Sequence, residues 1–118
     1  MTAFLYVALG GALGASARYG LTLASLRLFG PDWPLGTWVA NILGCFLIGL
    51  AIPLVTADRM RMVLVMGFLG AFTTFSTYSA ETIALWESGR VGLAVANALG
   101  SVVLGLVAVA AGLALARA

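Results

Sequence analysis

Six hydroxyl-bearing residues crowd into one short stretch: Thr73, Thr74, Ser76, Thr77, Tyr78 and Ser79 lie within the sequence GFLGAFTTFSTYSAE, and apolar runs flank it on both sides. A lipid-facing helix has no use for so many hydroxyls. In hydrocarbon every polar group needs an internal partner, and irregular backbone survives only inside protein or beside a water-filled path. The chemistry these residues can do is donation of neutral hydrogen bonds to something small and polar. They cannot do much else: no histidine is present, and the only cysteine is Cys45. No nucleophile–base spacing, phosphate loop or carboxylate pair supports catalysis. Cys45 cannot form an internal disulfide, and its apolar surroundings suit a small buried hydrophobe.

The elements that position this stretch follow from composition. The chain has 118 residues, 63% hydrophobic and 8% charged, whereas a soluble domain carries about 25% charged residues. A crossing takes about 20 apolar residues, so about four crossings fill the chain. The expectation is one domain over 1–118, all-α and multi-pass, with no second domain. Helices are expected near 4–28, 35–56, 60–87 and 91–115, the third interrupted by the hydroxyl run. Ala15-Ser16-Ala17 resembles a signal-peptidase site, but no basic residue precedes it, so the segment reads as a first spanning helix. The residues 30–34, Gly-Pro-Asp-Trp-Pro, form a loop; Ala57-Asp58-Arg59 and Ser88-Gly89-Arg90 form turns. Gly10 and Gly14 make a GxxxG pair suited to close helix packing. Asn97, Ser101 and Gly105 draw a polar, small stripe along the last helix.

All six basic residues are arginines, and they are scattered. No cluster suits nucleic acid. Arg59, Arg61 and Arg117 fall on one side of a four-helix layout, Arg27 and Arg90 on the other, with Arg18 inside the first helix. This weak bias fits either insertion in both orientations as an antiparallel dimer or a weakly biased protein oriented by other signals. Four short helices enclose little space, so a path through the membrane belongs at a subunit interface.

Three motifs carry a resemblance: GGALGASARY in the first helix, GTWVANILGCFLIG over 36–49, and the hydroxyl-rich segment over 67–81. In that order, and in a chain of this length, they resemble the Fluc (CrcB-type) fluoride channels of microbial membranes. The resemblance implies a bacterial inner-membrane protein of four helices per chain, the third broken, forming an antiparallel dual-topology homodimer. Its function would be passive fluoride export against toxicity. It also implies a structural Na+ at the dimer centre, with Gly70 and Thr73 matching the positions whose backbone carbonyls hold it. Asn41 matches a fluoride donor; Phe75 and Tyr78 match a pore aromatic pair whose positive ring edges can meet an anion. Thr77 and Ser76 lie in the same break and can donate or order the turn, Thr77 as a donor on the fluoride pathway and Ser76 in support. Ser101 matches a pore-side serine, Glu81 the acid after the break, and Arg18 an arginine near one mouth. Two departures stand out. Tyr78 replaces the usual Phe, so its hydroxyl can donate to the ion or narrow the route, and Asn97 replaces a frequent Tyr.

Other readings of the same residues compete. Asn41 and Ser101 could simply hydrogen-bond between helices; Ser101 alone fits that, whereas Asn41 with the hydroxyl run points to passage. Arg18 is a lure or a snorkelling anchor, and Glu81 a partner for arginine or a mouth residue. A proton-coupled exporter of organic cations is the main rival, but it needs a membrane carboxylate at its centre, and Glu81 stands close to a helix end. A non-transporting assembly subunit is the third possibility.

Overall fold

A computed structural model describes residues 1–118. The chain is all-helical, with an element order that departs from four plain helices at the third. Helix α1 is Thr2–Phe29 and α2 is Leu35–Leu54. The third unit has two arms. Its first arm, α3, covers 58–72 in contiguous pieces: Asp58–Met60, a π-helical Arg61–Leu69, and Gly70–Phe72. Thr73 and Thr74 are extended, and the second arm, α4, is Phe75–Glu87. The last helix, α5, is Val91–Arg117.

Three segments are long and apolar enough to cross a membrane: Leu35–Leu54, Asp58–Glu87 counted across its break, and Val91–Arg117. At 28 residues α1 is long enough, about 42 Å at 1.5 Å per residue. Its second half, however, carries Ser16, Arg18, Tyr19, Thr22, Ser25 and Arg27, which makes it less apolar than the others. The molecule measures 47 Å along its longest axis, a match to the ~40–45 Å of a bilayer with its headgroups.

Side-chain-free seams bring the helices together. A Cβ on Gly10 would collide with the Val63 carbonyl oxygen, and one on Gly14 with that of Phe68; one on Gly67 would stand 2.7 Å from Val7 O. Small residues allow this backbone-to-backbone approach in lipid, where packing rather than water drives association. The α2–α5 seam repeats the device: a Cβ on Gly49 would meet Val109 O, and one on Gly112 would meet Phe46 O. Phe72 is buried and stacks on Phe68, with ring centroids 5.7 Å apart.

The connections follow turn chemistry. Gly30 and Gly89 take positive φ (78° and 84°), a region glycine enters without a Cβ clash. Arg90 Nη1 donates to Asp32 O at 2.9 Å and ties the two loops of one end together. Helix α2 ends one residue after Pro53. The turn expected at 57–59 lies slightly earlier, because Asp58 already opens α3, where a carboxylate meets the positive end of the helix dipole.

Candidate functional site

The break is narrower than the hydroxyl run. Only Thr73 (φ −88°, ψ 156°) and Thr74 (φ −149°, ψ 123°) leave the helix. The later hydroxyls bond back into α4: Ser79 Oγ donates to Phe75 O at 2.9 Å and Thr82 Oγ1 to Tyr78 O at 2.7 Å. Such i−4 bonding lets Ser and Thr sit within a helix. Thr74 is the N-cap of α4, its Oγ1 accepting from the Thr77 N–H at 3.2 Å.

Two side chains from elsewhere hold the broken ends. Asn41, on α2, makes a two-bond clamp on Thr74: its Nδ2 donates to Thr74 O at 2.9 Å, and its Oδ1 accepts from Thr74 N at 2.7 Å. The Thr74 N–H is thereby diverted from the Gly70 carbonyl it would meet in a continuous helix. Arg18 Nε donates to Ala71 O at 3.2 Å, the carbonyl that an unbroken helix would pair with the Phe75 N–H. Arg18 is therefore a cap on the carbonyl end of α3, half-buried at the level of the break. The Thr73 carbonyl oxygen accepts no hydrogen bond. Thr73 Oγ1 donates to Leu69 O at 3.0 Å. Gly44 makes room for the Thr73 side chain, since a Cβ there would strike Thr73 Cγ2.

A cavity of about 250 Å³ lies against the break and opens at the outer surface of the chain; it is lined by Asn41, Cys45, Thr73, Thr74, Phe75, Tyr78, Ser101 and Val102. Thus Asn41, Phe75, Tyr78 and Ser101, together with Thr73, come together from α2, the break, α4 and α5. No charged side chain lines the cavity. Asn41 Nδ2 carries two protons and spends one on Thr74 O, so one remains. The first turn of α4 adds the partial positive charge of a helix N-terminus. Phe75 is 81% exposed, and its ring centroid lies 5.7 Å from that of Tyr78 with a 38° tilt. The Tyr78 hydroxyl donates to Ala98 O at 2.7 Å; its proton is thus turned to the backbone of α5.

Other expected residues stand apart from this cavity. Thr77 is half-buried and Ser76 exposed, its Oγ 3.4 Å from Thr74 Oγ1. Gly70 is exposed on the carbonyl arm. Glu81 pairs with no arginine: its Oε1 accepts from Thr37 Oγ1 at 2.8 Å, while its Oε2 is buried without a partner. It lines a second cleft of about 240 Å³ that also includes Asp32, Ser88 and Arg90. Cys45, expected as a buried hydrophobe, is only half-buried and lines the first cavity. Its place was readable from i, i+4 spacing to Asn41, and the cap role of Thr74 from its position ahead of a helix. The Thr37–Glu81 pairing had no local signal.

These features define a class: a small multi-pass membrane protein with a broken helix and a neutral, donor-lined cavity beside the break. The family described as CrcB-like protein, Camphor Resistance (CrcB), matches residues 5–113. The chain is 48% identical over 117 residues to the fluoride-specific ion channel FluC of Paracoccus denitrificans (97% of this chain, 94% of that protein). It is 48% identical over 123 residues to the FluC of Phenylobacterium zucineum (99% and 97%), and 44% identical over 122 residues to that of Chloroflexus aurantiacus (99% and 97%). The chain belongs to the CrcB-like (Fluc) family.

Proposed function

We propose that this chain is a fluoride-selective ion channel, exporting the anion passively rather than acting as an enzyme. The observation that carries this is the uncharged cavity at the break, in a chain whose full-length relatives are named fluoride-specific channels. Fluoride is small and strongly hydrated, so a path must replace its water with donors. Conduction also requires sites weak enough to release the ion. Asn41 supplies an amide proton, Ser101 a hydroxyl, and Phe75 and Tyr78 supply ring edges of positive partial charge. Fixed cations would hold the ion longer. The membrane potential, inside negative, then drives the anion outward with about 2.3 kcal/mol per 100 mV. Ser76, Thr77 and Glu81 are assigned supporting places beyond the cavity, toward the Arg90 end. An exporter of organic cations would need its carboxylate at the cavity, and Glu81 sits outside it.

The working unit is a homodimer of antiparallel, dual-topology copies, with α1 as the fourth crossing of each 1–118 domain. Polar groups at membrane depth cannot face acyl chains. The open side of the cavity, with Phe75 largely exposed beside it, therefore calls for a cover, and a second copy provides one. The near-even split of arginines between the two sides supports insertion both ways. Gly70 and Thr73 would hold a structural Na+ at the dimer centre. The unpaired Thr73 carbonyl and the diverted partner of Gly70 O fit a hard cation that takes oxygen ligands. When bound, that ion would supply positive charge to join the carbonyl ends of two breaks.

The deciding experiment is fluoride efflux from liposomes with a potassium ionophore balancing charge. Fluoride is expected to leave and chloride to stay. No fluoride flux from well-folded protein overturns the channel reading. Cross-linking in native membranes tests orientation; N-termini confined to one side would rule out dual topology.

A further inference from the structure

A chain of hydrogen bonds crosses from α4 to α5 and ends at Ser101, in the cavity lining. Asn97 is 3% exposed. Its Nδ2 donates to Thr82 Oγ1 at 2.8 Å, and its Oδ1 accepts from Ser101 Oγ at 3.4 Å. The Thr82 hydroxyl has already spent its proton on Tyr78 O. Thr82 can therefore only accept from Asn97, and this fixes the amide with its nitrogen toward Thr82 and its oxygen toward Ser101.

A serine hydroxyl has one proton and two acceptor lone pairs. With the Ser101 proton turned to Asn97, the cavity meets lone pairs, which repel an anion. An anion beside Ser101 must first draw the proton away. The Ser101–Asn97 bond is long, beyond the usual O–H···O range, so the proton is held but not locked.

We propose that Asn97 is a positioning residue for anion passage: it competes with the anion for the Ser101 proton and so keeps the Ser101 subsite weak. This inference rests on the fluoride reading above and adds a residue that never touches the ion. It also assigns a task to Thr82, which holds the amide in the orientation that makes Asn97 an acceptor.

The test is fluoride efflux from liposomes over a series of internal fluoride concentrations, with the half-saturating concentration read separately from the maximal rate. Asn97→Leu removes the competing acceptor. Thr82→Val, a swap of hydroxyl for methyl, frees the amide to turn its NH2 toward Ser101. Each is expected to lower the half-saturating concentration about two- to tenfold, the equivalent of one net hydrogen bond. In a Ser101→Ala background both shifts are expected to vanish. A loss of maximal rate with unmoved half-saturation, or the same shift in both backgrounds, overturns the proposal. If Asn97→Leu does not assemble, Thr82→Val decides alone, because it changes neither the cavity lining nor side-chain volume. Wild-type protein that carries no fluoride sinks the channel reading; wild-type flux with unshifted variants sinks only the role of Asn97.

Discussion

The two ends of the break are two residues apart and chemically opposite. On the α3 side a helix ends, exposing carbonyls: Arg18 takes Ala71 O, and Thr73 O stays unpaired. On the α4 side a helix begins, exposing amides: Thr74 caps the Thr77 N–H, Asn41 clamps Thr74, and the cavity opens alongside. In a continuous helix these poles would cancel into the ladder. Interrupting it for two residues exposes a negative helix end and a positive one side by side. One defect thus exposes both poles of a helix within two residues, and the side chains that hold each pole come from different helices.

Substitutions at each end separate the two roles. The largest effect is expected from Asn41→Asp. It keeps an acceptor for Thr74 N, loses the donor to Thr74 O, and puts negative charge on the anion's route. Fluoride flux should fall about a hundredfold, the scale of a lost hydrogen bond to a charged group; unaltered transport would exclude Asn41 from the pathway. Arg18→Leu acts on the carbonyl end and leaves Ala71 O unpaired. Thermal unfolding in detergent should show a loss of about 1–3 kcal/mol, the scale of a hydrogen bond lost from a charged donor to a partly buried acceptor, with conduction by the surviving folded protein largely kept. Flux abolished at unchanged stability would show that the ends do not act separately. Thr74→Ala removes the α4 cap and should lower stability by about 1 kcal/mol, with a matching fall in melting temperature. Tyr78→Phe is expected to matter least. Its hydroxyl serves Ala98 O rather than the cavity, so flux should stay within about twofold and stability within about 1 kcal/mol. A large loss of flux would mean that the hydroxyl turns to the ion.

Much of this was legible along the chain. The apolar runs and turn residues gave helix limits close to those found, because burial in lipid demands length and composition that one sequence displays locally. The position of the interruption was legible too, but its extent was overstated. A hydroxyl such as that of Ser79 is as compatible with a helix as with a break once it bonds to the carbonyl four residues back. The glycines at 10 and 14 announced a close seam, although not that Gly67 on a π-helical arm would complete it.

The sequence by itself determined an all-helical membrane chain, a defect in its third span, and a stock of neutral donors instead of charges or catalytic groups. Only the tertiary structure decided what each donor holds. Asn41 reaches Thr74 across 33 residues, Thr37 reaches Glu81 across 44, and Arg18 reaches Ala71 across 53. Periodicity reports which residues share a helix face, but not which faces meet. The glycine seams set that, and with it they turn Arg18 from a charge stranded in a span into the cap of a broken helix.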